Sequence, residues 1–268
     1  MNQSYSLHKI AAADAFSFNP SDYSWFKFGD KFYAKSFAKK LFDDFIIIHG
    51  DTILKQEEII ILPSPYLSIP TASNFLCFYF KEYLNIFLFE NDRKAAIESK
   101  IFRNQTYVTD YGNLDFEERV KLISNDTYYI DKEFINNKFC VFVDDIKITG
   151  SHEFTINKIL SQYNVDGKFL FVYFAELTNK EIHPNIENYL NYFSVKGVNE
   201  IITVVNRDDF QFNTRIIKYI LNFNEKDLHL FLESITFKVR EELFLLAISN
   251  NYHQISEYLN NLKTIKST

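Results

Sequence analysis

The sequence predicts an α/β fold: a largely parallel central sheet flanked by helices, followed by a C-terminal helical lobe. Three observations predict it. Apolar runs of strand length alternate with segments of helical period between residues 44 and 207. Only helical periods follow Asp209. The 268-residue chain is 47% hydrophobic and 24% charged, enough apolar material for a sizeable core. The expected organisation is a helical N-terminal segment over 1–43, an α/β core over 44–207 and a helical lobe over 208–268.

Phe32, Tyr33, Ala34, Phe37, Ala38, Leu41 and Phe42 recur at helical spacing, and Asp30 stands where a cap is needed. Phe45–Ile48 and Ile59–Leu62 are apolar and β-rich, with Gly50-Asp51 as a turn between them, and read as buried strands. Three of the five prolines fall in Pro63-Ser64-Pro65-Tyr66-Leu67-Ser68-Ile69-Pro70, a stiff loop before a helix over Thr71–Leu84. Asn91–Asp131 is polar and carries Arg93, Lys94, Lys100, Arg103 and Arg119. Its one helical period runs from Leu114 to Ile123, and the segment is expected to be partly mobile.

A turn at Asn136-Asn137-Lys138 introduces the strand Phe139–Val143, which ends in Asp144-Asp145. Thr149-Gly150-Ser151 then opens a helix carrying Phe154, Ile156, Ile159, Leu160 and Tyr163. Two more strands are expected at Phe169–Phe174 and Ile201–Val205, with a helix over Ile186–Phe193 between them. The tail reads as helices over Ile216–Leu221, Leu228–Phe231, Val239–Ile248 and Ile255–Leu262.

Several function classes drop out on composition and motif. The longest apolar run, Phe169–Ala175, falls far short of the roughly 18 residues of a membrane span. Met1–Ala15 has no basic segment followed by an apolar one, so a cytoplasmic protein is expected. Cys77 and Cys140 lie in apolar segments without CxxC spacing and read as reduced core residues. A net charge of −6 argues against nucleic acid as a partner. The six histidines have no metal-ligand spacing, and neither G-x-G-x-x-G nor G-x-x-x-x-G-K-[ST] occurs. A phosphoacceptor receiver domain needs an Asp further along its sheet, and residues 167–207 contain none.

The chemistry concentrates in Val141-Phe-Val-Asp-Asp-Ile-Lys-Ile-Thr-Gly-Ser-His152. An apolar strand delivers two adjacent carboxylates to its C-terminal end, where ligands of open α/β sheets bind. The Thr149-Gly150-Ser151 turn can wrap an anion with backbone N–H groups at the positive end of the next helix. Carboxylates accept hydrogen bonds from vicinal hydroxyls, so one loop can hold both the ribose and the phosphate of a sugar phosphate.

Asp144, Asp145, Thr149 and Gly150 together resemble the substrate loop of the type I phosphoribosyltransferases. The family usually has a Thr on each side of this core, where this chain has Ile148 and His152. The resemblance implies that Asp144 and Asp145 hold the ribose hydroxyls of phosphoribosyl diphosphate (PRPP), and that Lys147, Ile148, Thr149, Gly150, Ser151 and His152 enclose its 5-phosphate. Pro63, Ser64, Pro65 and Tyr66 resemble the family's pyrophosphate loop, although it has neither a Gly nor a basic side chain. Proline lowers the cost of a cis peptide to about 0.5–1 kcal/mol, so Ser64-Pro65 and Ile69-Pro70 are the expected places for the cis bond common in such loops. Arg103-Asn104-Gln105-Thr106 and Glu117-Glu118-Arg119 are loosely similar to the flexible loop of the competence-associated, amidophosphoribosyl-like subgroup, which makes Arg103 the candidate pyrophosphate contact.

The implied reaction transfers the phosphoribosyl group of PRPP to a nitrogen nucleophile, a nucleobase or amine, with release of pyrophosphate. Mg²⁺ would arrive bound to the substrate rather than to protein ligands. The resemblance also implies a homodimer, and acceptor recognition by the N-terminal hood elements or the tail. A non-catalytic module that senses PRPP or a nucleotide, and a scaffold that binds no PRPP, are the alternatives.

Overall fold

The computed structural model of the chain describes residues 3–103, 115, 117–118 and 128–267. Its centre is a five-stranded sheet in the order β1-β7-β6-β2-β3, parallel at every pairing. The strands are β1 (Gln3–Ile10), β2 (Ile59–Pro63), β3 (Ile97–Glu98), β6 (Lys138–Lys147) and β7 (Gly167–Leu177). A separate two-stranded ribbon pairs β4 (Phe102–Arg103) with β5 (Tyr128–Tyr129). The helical connections are those a parallel sheet requires.

Alternation along the inner strands sends side chains into two cores. Ile59, Ile61, Val141, Val143, Leu170, Val172 and Phe174 face α1 (Pro20–Lys27), α2 (Lys31–Leu54) and α3 (Ala72–Glu90). Phe37 of α2 stacks on Phe174 of β7 with ring centroids 4.4 Å apart. Ile60, Leu62, Cys140, Phe142, Phe171 and Tyr173 face the opposite side, where Ile156, Ile159 and Leu160 of α5 (Ser151–Gln162) cover them. Each such side chain contributes roughly 1.5–3 kcal/mol on burial. Both cysteines are buried and free of disulfide.

A third core belongs to the helical lobe. It draws on α7 (Val198–Val205), α8 (Thr214–Leu221), α9 (Glu225–Glu233), α10 (Phe237–Ser249) and α11 (Ser256–Ser267), and on two outliers, Phe28 and Ile69. Two short helices also pack on the sheet: α4 (Lys132–Ile135), whose Ile135 joins the core under α5, and α6 (Ile186–Asn191), whose Ile186 and Leu190 join the core facing α1 to α3. No helix among the described residues is long and apolar enough to cross a membrane.

The structure corrects four of the expected elements. Phe45–Ile48 is helix, not strand, and Gly50-Asp51 is no turn, because α2 continues to Leu54. Its buried residues Phe37, Ala38, Leu41, Phe42, Phe45 and Ile53 keep a helical period, whereas Ile47 and Ile48 are 82% and 60% exposed. Ile201–Val205 is likewise helix: Val198, Ile201, Val204 and Val205 face the lobe core, and tertiary packing outweighs their β propensity. The first residues, expected within a helical N-terminal segment, form β1, an edge strand parallel to β7. The strand reaching Asp144-Asp145 does not stop there but pairs as far as Lys147 with Glu176. The helical period at Leu114–Ile123 falls mostly outside the described residues, as do Asn104, Gln105, Thr106 and Arg119.

Asp30 caps α2 as expected, accepting from Phe32 N at 3.0 Å, and Thr71 starts α3 through a reciprocal box with Asn74. A Cβ added to Gly50 inside α2 would meet only Ile46 and Phe87 at ordinary contact distance. Gly50→Ala is therefore expected to stabilise the protein by about 0.5–1 kcal/mol in chemical denaturation. A destabilised variant would contradict a helix through this position.

Candidate functional site

The C-terminal ends of β2 and β6, the start of α5 and the inner face of the helical lobe enclose a cavity of about 610 Å³. That size suits a small phosphorylated ligand. Asp144, Asp145, Ile146 and Lys147 enter it from β6, and Ile148 to His152 from the turn that follows. Ser64, Pro65, Tyr66 and Leu67 enter it from the loop after β2. Arg103 of β4 lies on the same wall. Pro63 is the last residue of β2, paired with Val143, and holds the loop at that edge without lining the cavity.

The two carboxylates are held by different partners. Asp144 accepts from the Ser64 hydroxyl at 2.8 Å and from the backbone N–H of Asp145 at 2.9 Å, both on Oδ1. Its Oδ2 lies 2.6 Å from Nδ1 of His152. Ser64 is itself fixed by the Ser73 hydroxyl at 2.8 Å and by the Asn74 amide donating to its carbonyl at 3.1 Å. Asp145 Oδ2 accepts from Tyr23 Oη at 2.6 Å and from Lys27 Nζ at 2.5 Å, both on α1. Lys27 and Asp145 are nearly sealed from solvent, at 8% and 5% exposure.

Burial raises both carboxyls. At Asp144 it is overcome by the His152 ring, the Ser64 hydroxyl and the Lys27 ammonium, which hold this carboxyl well below the usual carboxylate range. At Asp145 burial, joined by the adjacent Asp144, prevails over Lys27 and Tyr23 and the carboxyl is raised. Burial and Asp145 push the Tyr23 phenol well up, so it keeps its proton and donates.

The turn after β6 is tightly made. Gly150 has φ of +76°, a left-handed conformation that glycine adopts at least cost, and its carbonyl accepts from Phe154 N at 2.9 Å to start α5. The Thr149 hydroxyl donates to Ser151 Oγ at 3.0 Å, and Ser151 is 2% exposed. Ile148, where a hydroxyl-bearing residue is usual, is buried in the core facing α2 and α3. Lys147 pairs with Glu153 at 2.7 Å, and Tyr173 donates to the same carboxylate at 3.2 Å.

A search of the curated proteins finds no match to this chain. A family model described as PRTase ComF-like matches residues 1–265. The chain belongs to the ComF-like phosphoribosyltransferase family. The match takes in the helical lobe as well as the sheet, so the lobe is part of the family's architecture rather than an appendage to it.

Six residues that sequence reasoning did not assign to the site come to it in the structure. Lys27 and Tyr23 lie more than a hundred residues before the carboxylate they hold, with no motif to mark them. The loop after β2 lacks a basic residue of its own, but Lys100 reaches it, with Nζ 3.5 Å from the centre of the Tyr66 ring and donating to the Leu67 carbonyl at 3.0 Å. The lobe adds Tyr192, Arg215 and Asn250 to the cavity wall. One expectation needs correction. The loop contains no cis peptide, so Ser64-Pro65 and Ile69-Pro70 are both trans. Arg207, just after α7, pairs with Asp30 and covers the Trp25 ring at 4.6 Å.

The depressed Asp144 carboxyl sets a pH dependence. Its folded value lies below the unfolded value of about 3.9, so its contacts stabilise the native state above that pH and lose this contribution as pH falls. Asp144→Asn is expected to cost about 1.5–3 kcal/mol near neutral pH. The gap from wild type should narrow between about pH 5 and pH 3. Thermal melts across that range check this, and a gap that does not change with pH would contradict it.

Proposed function

We propose that this protein binds PRPP with Mg²⁺ and transfers its phosphoribosyl group to a nitrogen nucleophile, releasing pyrophosphate. One observation carries the reading: the Asp144-Asp145 pair and the Thr149-Gly150-Ser151 turn line one cavity with Ser64 to Leu67 of the loop after β2 and with Arg103. In this reading Asp144 and Asp145 receive the ribose hydroxyls. The turn and the N-terminal end of α5 receive the 5-phosphate through backbone N–H groups. Ser64 to Tyr66 and Arg103 face the pyrophosphate.

Among the described residues no group of three or more His, Cys, Asp or Glu side chains could hold a metal ion. Three of the four oxygens of the acidic pair already accept from the protein: both of Asp144, and Oδ2 of Asp145. This donor set fits Mg²⁺ carried on the oxygens of the substrate, where it neutralises charge on the diphosphate.

The bond from C1 of the ribose to the pyrophosphate oxygen breaks with its electron pair leaving on pyrophosphate. The nitrogen lone pair forms the new bond to C1, and the nitrogen gives up a proton. Positive charge develops on the sugar ring as the leaving group departs. The protein's part is to fix the two reactants, to meet developing negative charge with Arg103 and loop N–H groups, and to keep water away.

A second reading, a module that binds PRPP or a nucleotide without turnover, is favoured by the helical lobe lining the same cavity, which gives occupancy a route to a partner surface. Calorimetric titration of PRPP with Mg²⁺ tests the binding that both readings share. Saturable binding to wild type is expected, with at least about a tenfold loss in Asp144→Asn/Asp145→Asn. Absence of binding to folded wild type would sink both readings. Pyrophosphate release on adding nitrogen nucleophiles separates transfer from sensing.

A further inference from the structure

We infer that Asn250, at the end of α10, is a positioning residue for the loop between β2 and α3, and that through it the helical lobe sets the diphosphate half of the site. This rests on the reading of that loop proposed above. Asn250 is 1% exposed, and its Oδ1 accepts from the backbone N–H groups of both Ser68, at 3.1 Å, and Ile69, at 3.3 Å. The Ser68 hydroxyl donates to the Ser249 carbonyl at 2.9 Å, and the Pro70 carbonyl accepts from Thr214 N at 2.9 Å. Ile69 is fully buried, and it is buried in the core of the lobe rather than in that of the sheet.

The loop is thus fastened at two ends to two different bodies. Pro63 pairs with β6 on the sheet, while residues 68–70 are gripped by the lobe. Ser64 to Leu67, the stretch that lines the cavity, runs between them: Ser64 is tied to Asp144, Ser73 and Asn74 near the sheet, and Tyr66 and Leu67 meet Phe102 and Lys100 on the way to the lobe anchor. The lobe end of this stretch, next to Ser68, takes its place from the Asn250 anchor. The buried Ile69 N–H and the part-buried Ser68 N–H lose their acceptor if the Asn250 side chain is removed, and the buried one is left unsatisfied unless the segment shifts. A displacement on the order of 1 Å at a binding loop is enough to cost about a hundredfold. The turn at Thr149–Ser151 has its own anchors in β6 and α5 and does not share this dependence.

The test compares two ligands on the full chain by calorimetry: PRPP with Mg²⁺, and ribose 5-phosphate, which lacks the diphosphate. Asn250→Ala is expected to weaken PRPP by about tenfold to a hundredfold and to leave ribose 5-phosphate within about twofold. Asn250→Asp keeps the acceptor and should retain most of the PRPP affinity. Ser68→Ala removes only the bond to Ser249 at an exposed position, keeps the fold and should show the same selectivity in smaller measure. Equal weakening of both ligands, or unchanged PRPP binding in Asn250→Ala and Ser68→Ala, would overturn the inference alone. A folded wild type that binds neither ligand would overturn the proposed function and this inference with it.

Discussion

Two carboxylates adjacent in sequence at the end of a buried strand repel each other, and each loses several kcal/mol of hydration when taken out of water. Asp144 and Asp145 are in this position, and parts of the chain remote from one another converge to compensate them. Tyr23 and Lys27 come from α1, Ser64 from the loop after β2, and His152 from the first turn of α5. Ser64 in turn depends on Ser73 and Asn74 of α3. Removing one partner of such a buried pair leaves an uncompensated charge, so these contacts tie the geometry of the sheet edge to the helices around it.

The same constraint explains why the helical lobe packs where it does. α1 must lie against the end of β6 for Lys27 to reach Asp145, and the lobe holds α1 there. Asn213, which caps α8, donates to the Lys27 carbonyl at 3.1 Å, Phe28 is buried in the lobe core, and Asp30 pairs with Arg207. On the other side of the cavity Asn250 holds the loop that carries Ser64. The lobe therefore supports Asp145 from behind through α1, and on the other side of the cavity it fastens the far end of the loop after β2.

The parallel sheet, its central strands and the helical lobe were legible because apolar runs and helical periods record burial directly. The acidic pair and the Thr149–Ser151 turn stood out because Asp-Asp and Thr-Gly-Ser form one local pattern at a strand end, and the structure brings both to one cavity. Phe45–Ile48 and Ile201–Val205 misled because short β-branched runs fit a strand or one face of a helix equally well, and only packing decides. β1 was missed because an edge strand needs few apolar residues, and Gln3–Ile10 offers Tyr5, Leu7 and Ile10 among polar neighbours. Lys27 and Asn250 carried no local signal, and Lys100 stood out only as one of several basic residues in a polar segment. Their roles come from contacts across the fold, such as the 182 positions that separate Ser68 from Asn250.

The most direct measurement of the central claim is a crystal structure of the protein with ribose 5-phosphate, pyrophosphate and Mg²⁺. The account predicts phosphate on the backbone N–H groups of Thr149 to Ser151, ribose hydroxyls on the Asp144 and Asp145 carboxylates, and pyrophosphate against Ser64 to Tyr66. Sugar phosphate bound elsewhere, with the acidic pair still engaged only by its protein partners, would contradict it.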